Sequence, residues 1–229
     1  MFTSYPIQIV KDHIIIGDQQ NLILDTGSPE SFHPSGIIKW CGEDLPVKTS
    51  LTGVRADYLR THVGANIDGL VGMDIIHRYP MLVDLRCGAV SIGDDAIYDR
   101  SLEHVELEPH AQGLIAVKMM VNNREVRMIL DTGAPISYIN NYIVDGMESE
   151  GEINDFHPLI GDFHTLTYRC EVVPMTTEKP YVQMFGVAPS MLSMMLMLLR
   201  VDGIIGVDLF KRYRIQIRVG KLFIPPEGI

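Results

Sequence analysis

Basic residues are in short supply. The 229 residues carry 19 Lys and Arg against 29 Asp and Glu, a net charge of −10. No local Lys/Arg cluster offsets that balance, which argues against a phosphate-tracking nucleic-acid binder. Cysteine is equally sparse. Cys41, Cys87 and Cys170 are too few for a disulfide framework, and none sits in a Cys-x-x-Cys pair. A reducing, cytoplasmic interior is expected, with the thiols buried or half-buried. The longest apolar run, residues 191–199, is about half of what a membrane span needs. The N-terminus has no basic stretch followed by an apolar one, so no secretory signal is expected. With a first strand starting by Tyr5, no separate pro-segment is expected. The eight histidines show no metal-ligand spacing, and there is no Gly-rich phosphate loop. No metal and no cofactor are expected.

What the chain does have is a repeat. Asp25-Thr26-Gly27-Ser28 returns as Asp131-Thr132-Gly133-Ala134. Leu22-Ile23-Leu24 precedes the first copy and Met128-Ile129-Leu130 the second, while Pro29 and Pro135 close them. Burying an isolated carboxylate behind three apolar residues is costly. Two such copies suggest carboxylates that meet each other. A second pair of segments repeats in the same order: Asp68-Gly69-Leu70-Val71-Gly72-Met73-Asp74 and Asp202-Gly203-Ile204-Ile205-Gly206-Val207-Asp208. An ordered set that recurs across most of each half marks a duplicated fold.

Short β-branched runs predict strands over residues 5–10, 13–17 and 22–24. Residues 28–46 read as irregular. Residues 47–63 read as two strands around a Thr52-Gly53 turn. A short helix after Gly72 and strands at 81–85 and 89–92 follow. The acidic, polar text from 93 to 113 reads as a linker, which divides the chain into lobes 1–104 and 105–229. In the second lobe, strands over 114–121 and 125–130 flank an Asn122-Asn123 turn. This lobe is longer between its two repeated segments. The extra length reads as a charged loop (145–152), a hairpin around Gly161-Asp162, a strand over 181–187 and a Met-rich helix over 191–200. The methionines of that helix are expected to pack in the core.

This ordered set resembles the aspartic proteases: an apolar run, Asp-Thr-Gly-Ser/Ala, then two hydrophobics and a glycine before a short helix and hairpin. The two-lobed plan looks like pepsin, while the size of each lobe is closer to a retropepsin subunit. The resemblance implies a mostly β fold of two tandem retropepsin-like barrel lobes about a pseudo-twofold axis. Asp25 and Asp131 would then be the catalytic pair, sharing one proton because adjacent carboxylates cannot both ionise. Thr26 and Thr132 would lock the two loops together. Gly27 and Gly133 would allow the loops to approach, with Ser28 and Ala134 completing the motifs. The implied activity is an endopeptidase acting on an extended peptide, with one chain sufficient for a complete site. A peptide-binding module that does not cut is the alternative.

One difference between the copies carries a further expectation. Ser28 offers a hydroxyl beside its aspartate and Ala134 does not. Fewer hydrogen bonds to the ionised form would leave the pair less acidic than in pepsin, with activity reaching toward neutral pH. The resemblance also implies a hairpin over the cleft with an aromatic near its tip. Tyr58 and Tyr168 are the candidates, and the longer second lobe is a place for the main cover.

Overall fold

Two-residue turns set the frame of both halves. The computed structural model describes residues 2–17, 19–51, 55–93, 104–158, 160–175, 179–217 and 220–223, and it is mostly β. Strand β1 (Phe2–Val10) pairs antiparallel with β2 (His13–Gly17) around Lys11 and Asp12, both at positive φ. In the other half, β10 (Ile115–Val121) pairs with β11 (Arg124–Leu130) around Asn122 and Asn123, again both at positive φ. That backbone matches the twist of paired strands and suits asparagine. At Lys11 the chain adopts it without a favourable residue, so only the second turn was visible in the sequence.

Each aspartate follows a strand buried on both faces. Strand β3 (Asn21–Leu24) pairs antiparallel with β2 and runs parallel to β6 (Gly69–Val71). Likewise β11 runs parallel to β16 (Gly203–Ile205). Short helices α2 (Met73–Ile76) and α4 (Val207–Arg212) come immediately after these supporting strands. The repeated Asp-Gly has a structural reason. Asp68 accepts the Asn21 N–H at 2.9 Å and donates its own N–H to the Asn21 carbonyl at 2.8 Å. Asp202 does the same with Arg127, at 2.8 Å for both bonds.

The halves are joined through one run of hydrogen-bonded strands. Its order is β9 (His104–Pro109), β18 (Lys221–Phe223), β17 (Arg214–Ile217), β7 (Met81–Asp84), β8 (Ala89–Gly93) and β1. Beyond β9 the run continues into β10. At the β17–β7 seam the Arg214 Nε stands 2.9 Å from Asp84 Oδ2, with both side chains largely buried. The expected linker is therefore in part structural. Its residues 94–103 lie outside the described residues, but 104–109 form β9, whose Val105 and Leu107 are buried. Alternating apolar positions hidden among acidic ones explain why a polar text folds as a strand.

Two further expectations need correction. Residues 28–46 are not all irregular, because β4 (Ile37–Trp40) and β5 (Glu43–Pro46) form a two-stranded ribbon. Ile38, Trp40 and Leu45 anchor it in the core, and Trp40 stacks on Tyr5 at 5.1 Å. The second strand expected within 47–63 is instead helix α1 (Ala56–Val63), whose Ala56, Leu59 and Val63 are buried against Ile15, Ile23, Phe32 and Leu70. Apolar residues at i, i+3 and i+7 are a helical spacing. The Thr52-Gly53 turn lies outside the described residues.

The longer second half adds β12 (Ser137–Ile139), β13 (Gly151–His157), β14 (Gly161–Pro174), β15 (Tyr181–Val187) and α3 (Ser190–Leu199). The expected hairpin is present, with His157 opposite Gly161. On α3 the leucines do the packing: Leu192 and Leu196 are buried, whereas Met191, Met194 and Met197 are exposed. Spacing decides this, since 192 and 196 share one face at i, i+4 and the methionines lie off it. The cysteines are free, with Cys41 and Cys170 buried and Cys87 exposed on a turn, against the expectation for the last. Among the described residues no helix is long and apolar enough to cross a membrane.

Candidate active site

The Asp25 N–H donates to the Val71 carbonyl at 3.0 Å, and the Asp131 N–H donates to the Ile205 carbonyl at 3.0 Å. Each aspartate is thus the first residue to leave its parallel strand pair, still held by it. The loops then turn toward each other. The Thr26 N–H donates to Thr132 Oγ1 at 3.0 Å, and the Thr132 N–H donates to Thr26 Oγ1 at 3.0 Å. The two hydroxyls pass their own protons onward, Thr26 to the Leu130 carbonyl at 2.8 Å and Thr132 to the Leu24 carbonyl at 2.6 Å. Both threonines are fully buried, and every polar atom in this lattice has a partner.

Glycine is required where the loops touch. A methyl group on Gly27 would overlap the Asp131 carboxyl, and one on Gly133 would stand 2.6 Å from the Asp25 Cγ. Each carboxyl therefore lies over the glycine of the opposite loop, which sets the two carboxyls against each other.

Backbone donors complete the cradle. Asp25 Oδ1 accepts the N–H groups of Gly27 and Ser28, each at 2.9 Å. Asp131 Oδ1 accepts the Gly133 N–H at 2.8 Å, and the Ala134 and Gly27 amides also favour its charged form. Burial and then the neighbouring Asp131 push the Asp25 carboxyl well above the usual carboxylate range. Burial raises Asp131 too, but the backbone donors and the bond from Asp25 pull it back. Both carboxyls are pushed up, and the pair holds one proton between its members.

The Ser28 hydroxyl does not serve its aspartate. It donates to the Glu30 carbonyl at 2.8 Å, and Ser28 reaches Asp25 only through its backbone N–H. The asymmetry expected from Ser28 and Ala134 therefore has no chemical basis at the carboxyls. Burial supplies the upward shift instead.

The two candidate aromatics are not at a hairpin tip. Tyr168 is buried within β14, and Tyr58 sits on α1. The hairpin formed by β13 and β14 nevertheless reaches Tyr58 through a residue that the sequence did not single out. The Phe156 ring lies 4.0 Å from the His62 ring, nearly parallel to it, and 5.0 Å from the Tyr58 ring at a steep angle. Next to it, Asp155 accepts the Tyr138 hydroxyl. His13, on β2, lies close to the Gly133 carbonyl and to Asp155. Burial lowers the His13 pKa against the pull of Asp155 and Asp12 and the Gly133 carbonyl, with Lys11 adding to the lowering. No motif or spacing marks Phe156, His62 or His13; only the pairing of distant elements sets Phe156 on α1 and His13 beside the Gly133 loop.

No protein-family model matches the chain, and no curated protein matches it. Among solved structures, a retropepsin-like aspartic protease from Rickettsia conorii is similar at 18% sequence identity and a TM-score of 0.39, covering 55% of this chain and 94% of that one. A likeness that distant does not speak to function, which has to come from the chain's own geometry.

Proposed function

We propose that this chain is an aspartic endopeptidase with Asp25 and Asp131 as its catalytic pair. The observation that carries the reading is the carboxyl pair itself, each carboxyl lying over the glycine of the opposite loop above interlocked Thr-Gly loops. Two half-buried carboxyls set against each other are costly to keep, and water activation is the chemistry they suit. Residues 1–104 and 105–229 act as two lobes about a pseudo-twofold axis, each supplying one aspartate. Both aspartates belong to one chain, so a monomer suffices. The three free thiols suit a cytoplasmic setting.

In the proposed reaction a water held between the carboxyls gives a proton to the ionised member of the pair as its oxygen attacks the peptide carbonyl carbon. The protonated member donates its proton to the carbonyl oxygen, giving a neutral tetrahedral diol. The first member then returns its proton to the amine nitrogen as the C–N bond breaks, and one diol hydroxyl returns a proton to the second. The cycle needs no metal. It needs one proton on the pair, and since burial raises both carboxyls, activity reaches toward neutral pH. A pH–rate optimum below about pH 3.5 would overturn that part of the reading.

The test is cleavage of a mixed peptide library by wild type and Asp25→Asn, with and without pepstatin, from about pH 3 to about pH 8. Cleavage lost in the variant and blocked by pepstatin supports the peptidase. Peptide binding without cleavage by either protein supports a binding module instead.

A further inference from the structure

The outer end of the β13–β14 hairpin has little backbone pairing within its own half, where Thr165 Oγ1 donates to the Val187 carbonyl at 2.6 Å. Residues 167–172 of β14 pair with β15, but residues 161–166 pair only with β13, which is itself the edge strand of its sheet. A two-stranded ribbon is marginal alone, so its position depends on what it packs against. On one flank Tyr138 holds it, through the hydroxyl bond to Asp155 and a ring contact with Phe163 at 5.9 Å. At the outer end the partner is the other half of the chain. Phe156 lies against His62 and Tyr58, and the two α1 rings lie 4.4 Å apart, so the three form one cluster.

Helix α1 is a firm dock. Its buried face packs on Ile23 and Leu70, from the strands that flank Asp25. Its C-terminal end is tied to the β1–β2 turn, where Lys11 Nζ donates to the His62 carbonyl at 2.9 Å. In the opposite direction, the Asp155 charge acts on His13, which reaches the Gly133 carbonyl in the loop of Asp131. The ribbon thus spans from the surroundings of one aspartate to the surroundings of the other.

We infer that Phe156 is a latch, fastening the hairpin of the second half onto α1 of the first, and that access to the Asp25–Asp131 site requires this contact to open. The functional half of the inference rests on the peptidase reading; the latch itself does not. Phe156 is a positioning residue here, since it touches neither carboxyl. A protein whose open state is rare binds ligand more slowly and weakly by the fraction open. Loosening the latch therefore speeds entry.

Two measurements test it. The first is hydrogen exchange on Asp25→Asn protein with no peptide present. Replacing His62 or Tyr58 by Ala removes a ring from the first half only. The amides of residues 151–157 in the second half are expected to exchange on the order of tenfold faster, while β10 and β11 stay unchanged. Tyr58→Phe keeps the ring and restores the slow rate. Unchanged exchange at 151–157 in both Ala variants overturns the latch. Both ring positions are partly exposed, which keeps the fold out of the comparison.

The second is the association rate of pepstatin with otherwise wild-type protein. Phe156→Ala and His62→Ala are expected to speed it by on the order of tenfold, with Phe156→Tyr near wild type. An unchanged rate overturns control of access by the latch. If pepstatin binds neither wild type nor variants while exchange responds as expected, the peptidase reading fails and the latch stands.

Discussion

Thr26 and Thr132 each hold the other's loop in the same way, hydroxyl accepting from backbone N–H at 3.0 Å in both directions. Each hydroxyl also satisfies a carbonyl at the end of the opposite strand, so deleting one strands two buried groups. Thr132→Val keeps the shape and loses the hydroxyl. An unpaired buried donor or acceptor costs about 1–3 kcal/mol, so the variant is expected to lose about 2–4 kcal/mol of stability. Chemical denaturation measures this, with Thr132→Ser as the variant that keeps the bonds and the stability. A Val variant within about 0.5 kcal/mol of wild type would show that the lattice is not holding the loops.

Neighbouring positions in the same motif separate by their contacts. Gly27→Ala places a methyl group on the Asp131 carboxyl, which must then leave its partner. Misplacement of about 1 Å can cost about a hundredfold in rate, and peptidase activity is expected to fall at least that far. Ser28→Ala should leave both activity and its pH profile within about twofold, because the hydroxyl serves the Glu30 carbonyl and not the carboxyl. A pH profile that moves with Ser28→Ala contradicts the geometry described.

The same motif shows where sequence was enough. Asp25, Asp131 and the parallel strands beneath them were legible because their constraints are local: an apolar run, a glycine where the loops touch, an Asp-Gly that caps a neighbouring strand. The latch was not legible. Phe156 is 94 residues from His62 and 98 from Tyr58 in sequence, and each has the ordinary appearance of a strand or helix aromatic. Helix α1 was mistaken for a strand because Thr, Val and Tyr near it favour β structure, while burial of Ala56, Leu59 and Val63 on one face decided for helix. The Ser28 hydroxyl was misread because adjacency in sequence does not say which acceptor a short side chain will choose, and Glu30's carbonyl was nearer to hand.

The seam between the halves offers a prediction of its own. Asp84 is ion-paired with Arg214, Nε standing 2.9 Å from Oδ2, and accepts the N–H groups of Arg86 at 3.0 Å and Cys87 at 3.1 Å. The Asp84 and Arg214 side chains are 9% and 14% exposed, so solvent does little to screen the pair. Asp84→Ala removes the acid from a largely buried cation and strips two turn amides, with an expected cost of about 3–5 kcal/mol. Arg214→Met leaves Asp84 its two backbone donors and should cost about half as much. Equal costs, measured by denaturant titration, would mean that the turn amides contribute nothing.

The pair of aspartates should also destabilise the fold as pH rises. In the unfolded chain an aspartate releases its proton near pH 3.9. In the folded protein the raised Asp25 keeps it to higher pH, through burial and then the neighbouring Asp131. Between those two values the folded state binds more protons than the unfolded state, so stability falls with each step up in pH and levels off above the folded pKa. Asp25→Asn mimics the protonated form: its oxygen can accept from Gly27 and Ser28, its amide can donate to Asp131, and it does not titrate. The variant is therefore expected to match wild type in melting temperature at about pH 3 and to exceed it progressively toward neutrality. A variant less stable than wild type at neutral pH, or a gap that does not change with pH, would show that Asp25 does not carry a raised pKa in the fold.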